Sequence, residues 1–240
     1  MSGPGSDRTR DDSTEIDTGE PRPDSIREWL TWIWRTENTS VSITRDLALS
    51  ISVVLVIAMI LFASTGVWPP LVAVESDSME DQIMTGDLVL IVEPDRFAHD
   101  DAIPGTGIVP AETADESGYE RFDRPGDVII FAPNGDRGTT PIIHRAIFWV
   151  EEGEDWIDKA DPAHLAGASS CDEITNCPAP NDGFITHGDN NGIYDQVRGD
   201  SKPVKPEWVN ARAQYRVPWV GNIRLYLGEY VAITSFSAIR

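Results

Sequence analysis

The stretch Val74-Glu75-Ser76-Asp77-Ser78-Met79-Glu80-Asp81-Gln82-Ile83-Met84-Thr85-Gly86-Asp87-Leu88-Val89-Leu90-Ile91 decides how this chain is read. A Ser-x-Ser-Met turn stands just past a hydrophobic segment, and Gly86-Asp87 opens an apolar run eight residues after Ser78. That pattern presents a hydroxyl on a loop feeding a β-strand, which is where a nucleophile belongs.

A serine hydroxyl is almost fully protonated near neutral pH and needs an adjacent base before it can attack. Two later segments offer one. The first is Gly126-Asp127-Val128-Ile129-Ile130-Phe131, followed by Pro141-Ile142-Ile143-His144-Arg145. The second is Thr186-His187-Gly188-Asp189-Asn190-Asn191-Gly192-Ile193-Tyr194-Asp195. Together the blocks read serine, histidine, aspartate. On its strand His144 alternates with Ile143, which places it on one face of the sheet. A lone strand histidine is ordinarily structural; its pairing with the serine block makes it the candidate base. Asp189 and Asp195 lie six residues apart and both are candidates to face the site. A bend through Gly192 would return the Asp195 carboxylate toward His144, whereas Asp189, directly after Gly188, is better placed to brace the turn.

In this order the three blocks resemble type I signal peptidases, most closely those of the archaeal and endoplasmic-reticulum branch. The bacterial branch uses a lysine as general base, and the corresponding apolar segment here carries His144. The closing Arg216-Val217-Pro218-Trp219-Val220-Gly221 also resembles a family block, so the likeness runs from about Val74 to Gly221 with insertions. The family usually has proline two residues after the methionine, where this chain has Asp81. The resemblance implies a mainly β fold: one N-terminal transmembrane helix followed by an extracytoplasmic all-β catalytic domain with acidic loop insertions. It implies a membrane-bound serine endopeptidase that removes signal peptides from secreted preproteins at the outer membrane surface, cutting after small residues one and three positions before the scissile bond. Ser78 is then the nucleophile, His144 the base and Asp195 the third triad member, with the Ser78 backbone N–H and the Ser76 hydroxyl as oxyanion donors. Its partners would be preproteins and the lipid bilayer, and the protein translocation channel is an open third. Two rival readings are another membrane-anchored processing peptidase and a non-catalytic scaffold of a secretion complex.

Composition narrows the alternatives. The 240 residues carry 19 basic and 40 acidic side chains, a net charge of −21 that would repel phosphate backbones and argues against nucleic acid as a partner. Lys159, Lys202 and Lys205 are the only lysines. Excess carboxylate with scarce lysine is the composition of a protein kept soluble in concentrated salt, as in halophilic archaea. Cys171 and Cys177 lie six apart in a polar loop, where a disulfide and two free thiols both remain open. Further zinc ligands are not adjacent, so neither a metal nor another cofactor is expected.

Taken in order, residues 1–24 are rich in Gly, Pro, Ser, Asp and Arg without apolar periodicity and read as a disordered tail. Residues 25–46 form a juxtamembrane segment whose Trp29, Trp32 and Trp34 suit a membrane interface. Leu47 to Ala63 holds seventeen residues without a charge, and a transmembrane helix is expected over 47–67. Arg27, Arg35 and Arg45 precede it and the next basic residue is Arg96, which puts the N-terminus in the cytoplasm and the rest outside. Only fifteen residues then separate Ala63 from Ser78, at most roughly 50 Å of extended chain. The catalytic domain is expected over 68–221, with strands at 86–92, 128–131, 141–150 and 183–186. Acidic loop insertions are expected over 95–123 and 151–182, where His99 and His164 read as loop residues. Residues 222–240 are too short an apolar stretch to span a bilayer and read as an interfacial or packing helix.

Overall fold

In a computed structural model of the chain, which describes Ser25, Arg27 and residues 39–222, the first element is helix α1, Thr39–Thr65. The expected tail, most of the juxtamembrane segment and nearly all of the C-terminal helix lie outside the described residues. Helix α1 starts eight residues before the expected span, because the polar turns up to Asp46 are also helical. Its Ser42–Thr65 portion is long and apolar enough to cross a membrane, and none of its apolar window is buried. At 1.5 Å per residue that portion is about 36 Å long, against about 30 Å of bilayer hydrocarbon. Two of its hydroxyls bond back along the helix, Ser50 Oγ to Asp46 O at 2.8 Å and Ser52 Oγ to Ala48 O at 2.7 Å, so neither is left unpaired. Gly66 ends the helix in the left-handed region (φ 77°), its N–H donating to Phe62 O. The boundary between the two units of the chain falls inside α1, after Ile57.

The second unit is mainly sheet. Eight strands follow: β1 (Leu71–Ala73), β2 (Leu88–Val92), β3 (Glu120–Arg121), β4 (Arg124–Pro125), β5 (Val128–Phe131), β6 (Ile142–Val150), β7 (Gly183–His187) and β8 (Val209–Val217). Six of them form one antiparallel sheet in the order β1-β2-β8-β5-β6-β7, and β3 with β4 makes a separate hairpin. The last strand thus enters between β2 and β5, a pairing with no local signal in the sequence. Strand β5 is central and buried throughout, as an unbroken apolar run requires. Its side chains alternate between two cores. Val128 and Ile130 join Met79, Ile83, Val89 and Ala213 on one side, while Ile129 and Phe131 join Ile108, Ala146 and Phe184 on the other.

Two expectations need correction. The sheet unit is not all β: helix α2 (Ala111–Ser117) lies within residues 95–123 and helix α3 (Asp195–Arg198) follows β7. Nor are the insertions mere acidic loops. Residues 95–123 bury Ile108, Val109, Ala114 and Tyr119. Residues 151–182 pack Trp156, Leu165 and Ile174 into one core with Phe148 of β6, Ile185 of β7 and Tyr194, and carry a Cys171–Cys177 disulfide. Their charged residues face solvent and hide the sparse apolar positions from a periodicity reading.

Candidate active site

The Ser76–Ser78 turn is fixed from below by Met79, which is wholly buried in the core under β2 and β5. Removing such a side chain costs about 2–5 kcal/mol, so the turn has one seat. The adjacent Ser78 is half-buried and lines a cleft of about 660 Å³. Its Oγ lies 3.2 Å from Ser76 Oγ. That is its only side-chain hydrogen bond among the described residues.

His144 comes from β6, two residues before the ladder slips between Ala146 and Phe148. It is 6 % exposed, and its Nδ1 lies 2.7 Å from Asp195 Oδ2. A buried carboxylate accepts, so Nδ1 carries the proton and Nε2 keeps its lone pair free to take one. Asp195 is fully buried at the start of α3 and also accepts from Thr186 Oγ1 at 2.6 Å. Thr186 is held in turn by Gln196, whose Oε1 accepts from Thr186 N at 2.9 Å. Sequence reasoning missed this support, although Thr186 stood inside the quoted block; only knowledge that β7 runs beside β6 assigns it. The chain bends at Gly192 and Ile193 and then enters α3, whose first residue presents the carboxylate to His144.

Asp189 goes elsewhere. Its two carboxylate oxygens take the Nε and Nη2 of Arg145, the residue after the histidine, in a buried bidentate pair. Arg145 Nη1 donates to the carbonyls of Arg121, Pro125 and Gly126, and Arg124 Nη1 donates to Asp189 O. The aspartate therefore ties the β3–β4 hairpin to the loop after β7 and has no hydrogen bond to His144 among the described residues. The structure brings Ser76, Ser78, His144 and Asp195 to one corner and places Asp189 in the adjoining brace.

The loop after β7 is seated on the turn that carries Ser78. Asn190 N donates to Ser78 O at 2.8 Å and its side chain to Asp77 O at 3.2 Å. At Gly188 a Cβ would stand 2.6 Å from Ser78 O and 2.8 Å from His144 Nε2, so glycine is required by close approach. Asn191 Nδ2 lies 3.4 Å from His144 Nε2. Behind the site, burial pushes the His187 imidazole down to about 4, with His164, its ring centroid 4.2 Å away and tilted by 50°, adding repulsion. His164 is thus part of this packing, and its Nδ1 lies 3.2 Å from Gly192 O.

The cleft runs between the edge-strand side of the sheet, Val72 to Asp77, and the start of β6, Thr140 to His144. Strand β1 stands at one end of the six-strand order, with β7 at the other. Such a site can activate a hydroxyl and hold an extended peptide against it. Of the described acid and thiol groups, the one cluster with metal-ligand spacing is Asp155, Cys171 and Cys177, and its two sulfurs are bonded to each other. No family model matches the chain, and no curated protein matches it.

Proposed function

We propose that this chain is a membrane-bound serine endopeptidase of the signal-peptidase type, removing N-terminal signal peptides from secreted preproteins at the outer surface of the cell membrane. The observation that carries the reading is the His144–Asp195 pair beside Ser78, with Nδ1 protonated toward a buried carboxylate and Nε2 facing the cleft that Ser78 lines.

An extended substrate adds alongside β1 and the residues that follow it, so that its scissile carbonyl meets Ser78. Ser78 Oγ turns from Ser76 to His144 and attacks the carbonyl carbon as Nε2 takes its proton. The Ser78 N–H and the Ser76 hydroxyl stabilise the oxyanion. His144 returns the proton to the departing amine as the C–N bond breaks, and a water repeats the cycle to release the acyl group from serine. The short chain between α1 and Ser78 supports a cut close to the membrane, where a signal peptide emerges. Topology follows the arginine bias before α1: one pass, N-terminus cytoplasmic, sheet unit outside.

An active-site-directed serine acylating reagent separates this enzyme from a scaffold of the same fold. Labelling confined to Ser78, and lost in His144→Ala, is expected. Absence of labelling in the folded wild type would leave the scaffold.

A further inference from the structure

We infer that Asn191 is a positioning residue of the resting site, holding His144 Nε2 as a free acceptor until Ser78 turns to it; the inference rests on the peptidase reading. In this structure the nucleophile and base are each engaged with another partner. Ser78 Oγ pairs with Ser76 Oγ at 3.2 Å, while Asn191 Nδ2 stands 3.4 Å from His144 Nε2. The polarity of the second contact is fixed by the first shell of bonds. Asp195 claims the proton on Nδ1, so Nε2 is an acceptor and the group facing it must be the donor end of the carboxamide.

The length of that contact matters as much as its polarity. At 3.4 Å it lies at the weak end of the hydrogen-bond range, strong enough to orient a ring and weak enough for a serine hydroxyl at about 2.7–2.8 Å to displace. A tighter donor would compete with the nucleophile.

Asn191 is also delivered stiffly. Its backbone N donates to Gly188 O at 2.7 Å, and the preceding Asn190 is bonded to the Ser78 carbonyl at 2.8 Å. A Cβ on Gly188 would come within 2.7 Å of Asn191 Nδ2. The loop therefore moves with the nucleophile turn, and the carboxamide is carried in register with both reacting groups. An ordinary turn asparagine would bond its own backbone and leave Nε2 alone.

The test compares full-length wild type in detergent with Asn191→Leu, which keeps the shape and removes the donor, and Asn191→Gln, which restores a carboxamide. Cleavage of a preprotein, Ser78 acylation by a serine reagent and thermal melting are measured, with ring ¹⁵N spectra of the four histidines assigned through His144→Ala. Asn191→Leu is expected to lower kcat and the acylation rate together by about 10- to 100-fold with KM and melting nearly unchanged. Its His144 Nε2 signal should shift, and Asn191→Gln should recover part of the rate. Unchanged kcat and an unmoved Nε2 signal overturn the inference, as does a fall in kcat matched by a fall in melting temperature. A wild type that neither cleaves nor labels, while the Nε2 signal still shifts on Asn191→Leu, overturns the peptidase reading and with it the catalytic purpose of the contact.

Discussion

Two buried aspartates, one just before β5 and one at the start of α3, are treated in opposite ways. Asp127, just before β5, is saturated: Oδ1 takes Tyr119 OH and Arg212 Nη1, and Oδ2 takes Val109 N and Arg212 Nη1, at 2.8 to 3.1 Å. Asp195 spends one oxygen on His144 and Thr186, and its Oδ1 is buried without a partner among the described residues. The first carboxylate faces a permanently charged guanidinium, the second an imidazole that in the proposed reaction takes up a proton and gives it back. A charge meant to hold structure is surrounded by fixed donors. On the proposed reading, the charge meant to act is matched to the imidazole that carries the proton.

The largest expected effects fall on the second corner. Ser78→Ala and His144→Ala each abolish cleavage, and because the groups act as one unit their losses do not add. Asp195→Asn slows cleavage about 10⁴-fold, the drop seen for the same change in a serine-protease triad, with melting kept. Asp127→Asn breaks the comparison from the other side: it leaves Arg212 buried and unpaired, a loss of about 3–5 kcal/mol. At about 2–4 °C per kcal/mol the melting temperature falls on the order of 10 °C, while the rate per folded molecule is kept. If Asp195→Asn melts early at unchanged rate, or Asp127→Asn is stable and dead, the two roles are exchanged.

Asp189 stands between them. Asp189→Asn removes one arm of the bidentate pair with Arg145 and loosens both the β3–β4 hairpin and the loop carrying Asn190 and Asn191. Melting temperature and cleavage should fall together, by less than in the Asp127 and Asp195 variants respectively. A folded, inactive Asp189→Asn beside an active Asp195→Asn would transfer the triad role.

The smallest effect is a pH dependence behind the site. His187 is held down to about 4 chiefly by burial, so the folded chain resists a proton that the unfolded chain accepts near 6.5. Its contribution is full above about pH 6.5 and is lost as pH falls toward 4. His187→Phe should flatten the melting temperature over that range, and an unchanged slope would assign the acid sensitivity to another group.

Much of the site was legible because its groups sit in compact local patterns. Ser76 and Ser78 precede an apolar run, His144 lies within a strand, and Asp195 closes a turn-rich block, each readable without tertiary information. What stayed hidden was carried by partners far apart in sequence. Arg212 meets Asp127 across 85 residues, and β8 enters the sheet between strands formed more than 70 residues earlier. Asp189 and Asp195 look alike in the sequence; only the side-by-side placement of β6 and β7, with Arg145 opposite His187, sends one to the guanidinium and the other to the imidazole. The cysteine pair was balanced between disulfide and thiols until the fold of residues 151–182 brought the Cα atoms to 5.0 Å.

The most direct test of the central claim is to incubate the purified full-length chain with a purified preprotein and read the products by mass, with Ser78→Ala as the control. The account predicts two fragments from wild type, divided at the end of the signal peptide after small residues one and three positions before the cut, and intact preprotein with Ser78→Ala. Equal cleavage by both, or none by a folded wild type in detergent, would contradict it.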